Sequence, residues 1–272
     1  MTYKITIITV CLNIVDTIRR TCDSIVKQTF RDFQWIVVDG ASTDGTLDIL
    51  KEYTSRIDIF ISEPDSGIYN AMNKGIKLAE GEYLLFLNGG DKLTNNEVLD
   101  NIVGKLSYYP IITCNLNIIN HNGKKDFTWH PKSNEDFYNN TLPHNSTFIL
   151  KQLFEKYGFY DENLKICADR EFFVKTIVKH KIKYLTCNID CSDFYTDGIS
   201  CSNSETLLLN NREINHRYYW WRLFKEEHPR FADKIEFIRN SIRYPRYFLG
   251  YIKQKLFNNK AKYNNTNQMI IQ

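Results

Sequence analysis

An apolar run, Tyr83-Leu84-Leu85-Phe86-Leu87, ends abruptly in Asn88-Gly89-Gly90-Asp91. Two glycines let a backbone turn sharply and come close to a ligand. One carboxylate beside small residues suits a divalent cation that takes its other ligands from phosphate and water. A second carboxylate, Asp39, follows the apolar run 33–38 and directly precedes Gly40. Such runs read as strands buried on both faces, and open α/β sheets bind ligands outside the carboxyl ends of their strands. Two carboxylates on one sheet edge could therefore share one crevice. One would hydrogen-bond a nucleoside and the other would meet a metal–diphosphate. For either residue taken singly, a solvated turn is the alternative.

Other phosphate and metal chemistries find no support. Gly40 and Gly45 have P-loop spacing, but Thr46 stands where the lysine belongs. No Gly-x-Gly-x-x-Gly follows the first strand, which argues against a dinucleotide fold. The seven cysteines are odd in number and scattered, and the closest pair, Cys187 and Cys191, lacks zinc-site spacing and partners. They read as small core residues of a cytosolic protein.

The elements that must position these carboxylates are legible as alternating periods. Strands are expected at 5–12, 33–38, 57–61, 84–88 and 110–119. Between them, helices are expected from Ile14 to Val26, from the 41–45 turn to about Tyr53, at 68–79 and at 96–106. This alternation predicts an α/β fold with a doubly wound, mostly parallel sheet. The second half is less regular. It offers a strand at 146–150, a short helix at 151–157 stopped by Gly158, a helix at 167–179 with Asp169, Arg170 and Glu171 in its first turn, and a strand at 182–189. From residue 206 the chain reads as helical and aromatic.

Taken in order, the motifs Val10-Cys11-Leu12-Asn13, Ile36-Val37-Val38-Asp39-Gly40-Ala41-Ser42-Thr43-Asp44-Gly45-Thr46, Glu63-Pro64-Asp65-Ser66-Gly67-Ile68-Tyr69-Asn70-Ala71-Met72-Asn73-Lys74-Gly75 and Asn88-Gly89-Gly90-Asp91 resemble those of family 2 glycosyltransferases of the GT-A fold. The likeness is strongest to small bacterial enzymes of surface-polysaccharide (O-antigen or capsule) assembly, and it covers roughly residues 1–200. It implies a nucleotide-diphosphate sugar donor, with a UDP-sugar favoured, a divalent metal (Mn2+ or Mg2+) and inversion at the anomeric carbon. It places Val10 and Leu12 at the base pocket, Asp39 on the base, Asp65, Lys74 and Asn88 along the donor, and Asp91 on the metal. The family's usual Asp-x-Asp reads Asn88-Gly89-Gly90 here, so Asp91 is the one carboxylate of that turn. Pro143-His144-Asn145-Ser146-Thr147-Phe148 resembles an acceptor wall, with His144, Arg170 and Glu171 as acceptor contacts. Cys167-Ala168-Asp169-Arg170-Glu171-Phe172 resembles the segment carrying the catalytic base. Inverting transfer needs one carboxylate to take the proton of the attacking hydroxyl, and Asp169 is the choice.

Three segments are expected: a catalytic domain at 1–205, a helical basic and aromatic extension at 206–262, and a disordered end at 263–272. After Glu236 no acidic residue occurs, while Arg239, Arg243, Arg246, Lys253, Lys255, Lys260 and Lys262 follow. Those seven exceed the whole net charge of +3, so the extension is expected to meet an anionic membrane surface. No signal peptide or apolar span is legible. The expected place is cytoplasmic and peripheral, on the inner face of the cell membrane, with a polyprenyl-diphosphate-linked sugar as acceptor. No nucleic-acid motif accompanies the basic residues. The processive synthase signature Gln-x-x-Arg-Trp is absent. A nucleotidyltransferase and a nucleotide-sugar-binding module without transferase activity remain as alternatives.

Overall fold

The computed structural model describes residues 3–131 and 141–196. The boundary expected at 205, the helical extension and the C-terminal end lie outside the described residues. Four parallel strands form one half of a nine-stranded sheet in the order β3-β2-β1-β4. They are β1 (Ile5–Cys11), β2 (Phe33–Asp39), β3 (Ile59–Ser62) and β4 (Tyr83–Phe86). Every residue of β1, β2 and β4 is buried, as unalternated β-branched runs require when helices cover both faces. The buried polar groups of these strands pair internally. Thr6 Oγ1 donates to Gln34 Oε1 at 2.9 Å, and the Trp35 indole donates to Thr9 Oγ1 at 3.1 Å.

Helices α1 (Ile18–Val26), α2 (Thr46–Lys51) and α3 (Ile68–Leu78) follow β1, β2 and β3, and α4 (Val98–Val103) comes after the two-residue β5 (Lys92–Leu93). The first helix starts four residues later than expected. The backbone N–H groups of Asn13, Ile14 and Val15 are held instead by Ser42 Oγ, Thr46 Oγ1 and Asp44 Oδ2, at 2.8, 2.9 and 2.9 Å. The 41–46 motif therefore pins the loop after β1 as well as opening α2.

Beyond β4 the sheet turns mixed. β8 (Thr147–Leu150) inserts antiparallel between β4 and β6 (Ile111–Ile119), so the fifth strand does not continue the parallel winding directly. β7 (Lys125–Trp129) forms an antiparallel hairpin with β6. It was not expected, because its exposed Lys-Asp-Phe-Thr-Trp pattern lacks an apolar face. β9 (Tyr184–Tyr195) runs parallel to β6, six residues past its expected end. Asn188 and Asp190 read as a strand terminus, yet both accept from Asn115 Nδ2, at 2.9 and 3.0 Å, across a register shift. α5 (Gln152–Tyr157) leads towards α6 (Ala168–Phe173), which continues as a π-helical stretch, Val174–Lys179.

Gly81 lies where the chain enters β4. A Cβ there would sit 2.5 Å from the Thr6 amide nitrogen and 2.6 Å from the Ile5 carbonyl carbon. Both are backbone atoms of a central strand and cannot yield. Gly81→Ala is expected to destabilise the chain by about 1–3 kcal/mol, the usual cost of overpacking. Equilibrium urea unfolding checks this, and an unchanged midpoint would mean that β1 and β4 can separate.

Candidate active site

The carboxyl ends of β1, β2 and β4 carry the first group of expected residues. Asp39, the last residue of β2, is fully buried. Its Oδ2 accepts from Ser42 N–H at 2.9 Å and Ser62 Oγ at 2.8 Å, and its Oδ1 accepts from Ser42 Oγ and the Cys11 thiol. Four donors fill a carboxylate's acceptor sites, so Asp39 here organises the loop that follows β2. Val10 is buried in β1, whereas Leu12 is 45% exposed. Leu12 and Asp65 converge on Gly40: a Cβ there would meet Asp65 Oδ2 at 2.6 Å and Leu12 Cδ1 at 3.3 Å. A side chain at position 40 would push the Asp65 carboxyl aside. Lys74 is turned to the loop beside it, bonding the Pro64 carbonyl at 3.1 Å and Glu63 at 2.8 Å.

The second group meets the turn after β4. Gly89 N–H donates to the Val10 carbonyl at 2.9 Å, which docks the turn on β1. Asp91 is 7% exposed. Its Oδ2 accepts from Asn145 Nδ2 at 3.0 Å and its Oδ1 from Tyr195 N–H at 3.2 Å. Burial pushes its pKa from 3.8 up to about 6, against the pull of Asn145, Tyr195, His144 and Arg20. The Arg20 guanidinium stacks on the Tyr195 ring, 3.5 Å from its centroid, and bonds the Gly90 carbonyl.

Asp169 lies in the first turn of α6, also 7% exposed. Its Oδ2 accepts from His144 Nδ1 at 2.9 Å, and its Oδ1 is 2.9 Å from the Tyr69 hydroxyl. Burial opposes its charge, but the hydrogen bonds and the charge of His144, with Tyr69 and the Arg170 amide, win, and its pKa falls below 3.8. Burial also opposes the charge of His144, yet Asp169 raises its pKa above 6.5. A raised histidine stabilises fully below its unfolded value and loses that contribution as pH rises through its folded value. A lowered aspartate stabilises above its unfolded value and loses that contribution as pH falls through its folded value. The pair therefore contributes most between pH 3.8 and pH 6.5, the two unfolded values.

The other ring nitrogen of His144 reaches Asn88. Nε2 is 3.0 Å from Asn88 Nδ2, while Asn88 Oδ1 is buried with no partner among the described residues. A neutral ring donates from Nδ1 and accepts the Asn88 amide at Nε2. A charged ring needs the amide rotated, which brings Oδ1 onto Nε2–H.

The structure thus joins Asn88, Asp91, His144 and Asp169 into one connected set, with Asn145 and Tyr69, whose roles the sequence did not signal. Tyr69 belongs to a motif that braces the segment ahead of α6. Asn70 and Asn73 donate to Glu162 at 2.8 and 2.9 Å, and Asn73 exchanges two bonds with the Tyr160 backbone. The Arg170 side chain is buried, its Nε has no hydrogen-bond partner among the described residues, and burial lowers its pKa to about 10. Glu171 lies 3.8 Å from Lys175 on its own helix. A groove of about 750 Å³ lined by Lys105, Tyr108, Tyr109 and Thr186 holds none of the expected residues.

Among the described residues no three His, Cys, Asp or Glu side chains cluster as a metal cage. The fit to a divalent cation rests on Asp91. Each of its oxygens takes one hydrogen bond, and its acidity is depressed by burial without full compensation. Such a carboxylate welcomes a cation that brings diphosphate and water as its other ligands.

Because native Asp91 holds its proton more tightly than the unfolded chain does, the wild-type chain loses stability as pH rises from 3.8 to about 6. Asp91→Asn resembles the protonated side chain and carries no such penalty. In metal-free buffer the variant is expected to gain on wild type between pH 4 and pH 7.5, with a ceiling of about 3 kcal/mol. Urea unfolding at the two pH values measures it. A difference that does not change with pH would mean that Asp91 ionises as freely as a surface carboxylate.

Comparison with known proteins agrees with this architecture. The Glycosyl transferase family 2 profile matches residues 6–167. The chain is 30% identical over 177 residues to a PGL/p-HBAD biosynthesis glycosyltransferase of Mycobacterium bovis, covering 60% of this chain and 66% of that protein, just under two thirds of its length. It is 38% identical over 91 residues to the putative teichuronic acid biosynthesis glycosyltransferase TuaG of Bacillus subtilis, covering 32% of this chain and 36% of that one. Among solved structures, S. aureus TarS 1-349 in complex with UDP-GlcNAc superposes with a TM-score of 0.60 at 20% identity, over 79% of this chain and 70% of that one. The mixed sheet and its helices form a GT-A-like α/β fold, and the chain belongs to glycosyl transferase family 2.

Proposed function

We propose that this glycosyltransferase moves a hexose or N-acetylhexosamine from a nucleotide-diphosphate sugar, with inversion, onto a lipid-linked sugar in surface-polysaccharide biosynthesis of the O-antigen kind. The observation that carries the reading is Asp169. A carboxylate is kept ionised inside the protein by His144 and Tyr69, and the same histidine reaches the Asn88–Asp91 turn through Asn88. With His144, Tyr69 and the Arg170 amide as donors, one of the carboxylate's four acceptor sites is left for the acceptor hydroxyl. The hydroxyl oxygen bonds to the anomeric carbon on the face opposite the diphosphate, its proton passes to Asp169, and the diphosphate leaves with the electron pair.

The donor lies along the edge made by Leu12, Gly40 and Asp65. Val10 and Asp39 shape the base pocket from beneath, and Lys74 sets the 63–67 loop. Asn88 lies along the donor, and Asp91 would hold Mn2+ or Mg2+, whose chemistry when bound is to offset charge on the leaving diphosphate. His144, Arg170 and Glu171 lie on the acceptor side. A UDP-sugar is favoured, in keeping with the UDP-GlcNAc complex of the structural neighbour. The surface-polysaccharide setting accords with the named role of the Bacillus relative in teichuronic acid biosynthesis.

A second reading, a nucleotide-sugar-binding module without transfer, draws on the single carboxylate at the Asn88–Asp91 turn. Nucleotide release separates the two. UDP- and GDP-sugars are incubated with membranes or a lipid-diphosphate sugar as acceptor. Acceptor-dependent release is expected for one donor. Asp169→Asn is expected to lower turnover by about a hundred- to ten-thousand-fold with donor affinity retained. Donor binding without any release would establish the module instead.

The lipid-linked acceptor places the enzyme at the inner membrane face, through the basic residues between Arg239 and Lys262. Each basic residue near an anionic surface contributes about 1 kcal/mol. Among the described residues no helix is long and apolar enough to cross a membrane. The full chain is expected to float with anionic liposomes and to be released by high salt, while a chain ending near Glu236 stays behind. Equal flotation of both would remove the membrane role of the extension.

A further inference from the structure

Tyr69, from the Ser66-Gly67-Ile68-Tyr69-Asn70 motif, helps to keep Asp169 ionised, and its hydroxyl also meets a second acceptor. Its hydroxyl lies 2.9 Å from Asp169 Oδ1 and 2.6 Å from the Ile166 carbonyl oxygen. The residue is buried, packed against Tyr160 with ring centroids 5.4 Å apart. A phenol has one proton to give, and here two acceptors compete for it. Burial, reinforced by the charge of Asp169, holds the phenol well above its ordinary pKa. It is therefore a donor at every working pH and not a second base.

We infer that Tyr69 is a positioning residue that gives its proton to Asp169 while that carboxylate is charged and to the Ile166 carbonyl once Asp169 has taken the acceptor's proton. The inference rests on Asp169 being the base. In the resting state the bond to Oδ1 is charge-assisted and outweighs the neutral bond to Ile166. During transfer the acceptor O–H bond breaks and the oxygen–anomeric carbon bond forms. The bond from that carbon to the diphosphate breaks with its electron pair, and the proton arrives on Asp169. Neutral Asp169 is a poorer acceptor, so the phenol proton turns to Ile166, and no covalent bond of Tyr69 changes. In a site this buried, a phenol without an acceptor would carry an unmet desolvation cost. The second acceptor removes that cost in the state where the first is lost.

The groups that face Asp169 are the His144 ring from the 144–146 turn, Tyr69 from α3, Tyr160 from the segment before α6, and Arg170 in the first turn of α6. Asp91 couples to it through His144. A pH profile of turnover alone would mix these groups, so the Asp169 carboxyl is read directly. Carboxyl-carbon NMR of the full chain, labelled at aspartate, is titrated, and the Asp169 signal is identified by its loss in Asp169→Asn. Tyr69→Phe keeps the ring and removes only the hydroxyl. Its Asp169 midpoint is expected to rise by about one pH unit, the equivalent of one charge-assisted hydrogen bond. Turnover falls while the donor KM holds. 3-Fluorotyrosine at position 69, a more acidic phenol of nearly the same shape, is expected to move the midpoint down, and it serves where Tyr69→Phe folds poorly. Midpoints unmoved by both changes overturn the switch. Near-normal turnover of Asp169→Asn would instead remove the base on which it rests.

Discussion

A carboxylate that is more than nine-tenths buried stays charged only where donors surround it, and α3, the 144–146 turn and α6 meet that condition at Asp169. The desolvation cost of such an ion is several kcal/mol unless it is paired and hydrogen-bonded. His144 supplies the pairing from a turn held just ahead of β8, and Tyr69 supplies a hydroxyl from α3. α6 is fixed in turn by apolar contact. Phe172 stacks on Phe154 at 4.2 Å, and Phe154 meets Phe86 of β4 edge-on at 5.9 Å. Aromatic packing and ionic pairing thus set the same side chain from opposite ends of one helical turn.

The three aspartates Asp39, Asp91 and Asp169 sit in three electrostatic states. Asp39 is saturated by four donors and holds backbone geometry. Asp91 has one donor on each oxygen and a pKa driven up by burial. Asp169 has a charged partner and a pKa driven down. Identical side chains are thereby separated into a saturated scaffold, a buried carboxyl that resists ionisation and a carboxylate kept charged. The separation follows from which neighbours each meets and not from its own chemistry. The Asn88–His144 contact links the last two, so the charge on the ring is felt at both.

The local pattern carried far in the first half. Unbroken runs such as 5–11 and 33–39 admit little besides buried parallel strands, and the Ser66-Gly67 stop before Ile68 marks the start of α3. The pattern failed where a distant partner decided the outcome. Helix α1 starts at Ile18 because Ser42, Asp44 and Thr46, some thirty residues away, take the preceding amides. β9 runs on through Asn188 and Asp190 because Asn115 pairs them. β8 enters antiparallel beside β4, and no periodicity encodes which neighbour a short strand will choose.

The sequence by itself determined the strand–helix order, the ordered motifs that resemble family 2 glycosyltransferases, and the residues able to do acid–base or phosphate chemistry. Those follow from side-chain type and short spacing, which are local. Only the tertiary structure decided what each residue is free to do. It closed the donors around Asp39, bent Lys74 to Glu63, and brought Tyr69 to Asp169 across a hundred positions of chain. Charge state and hydrogen-bond partners depend on burial and on groups far apart in sequence, and these come into being only when the chain is packed.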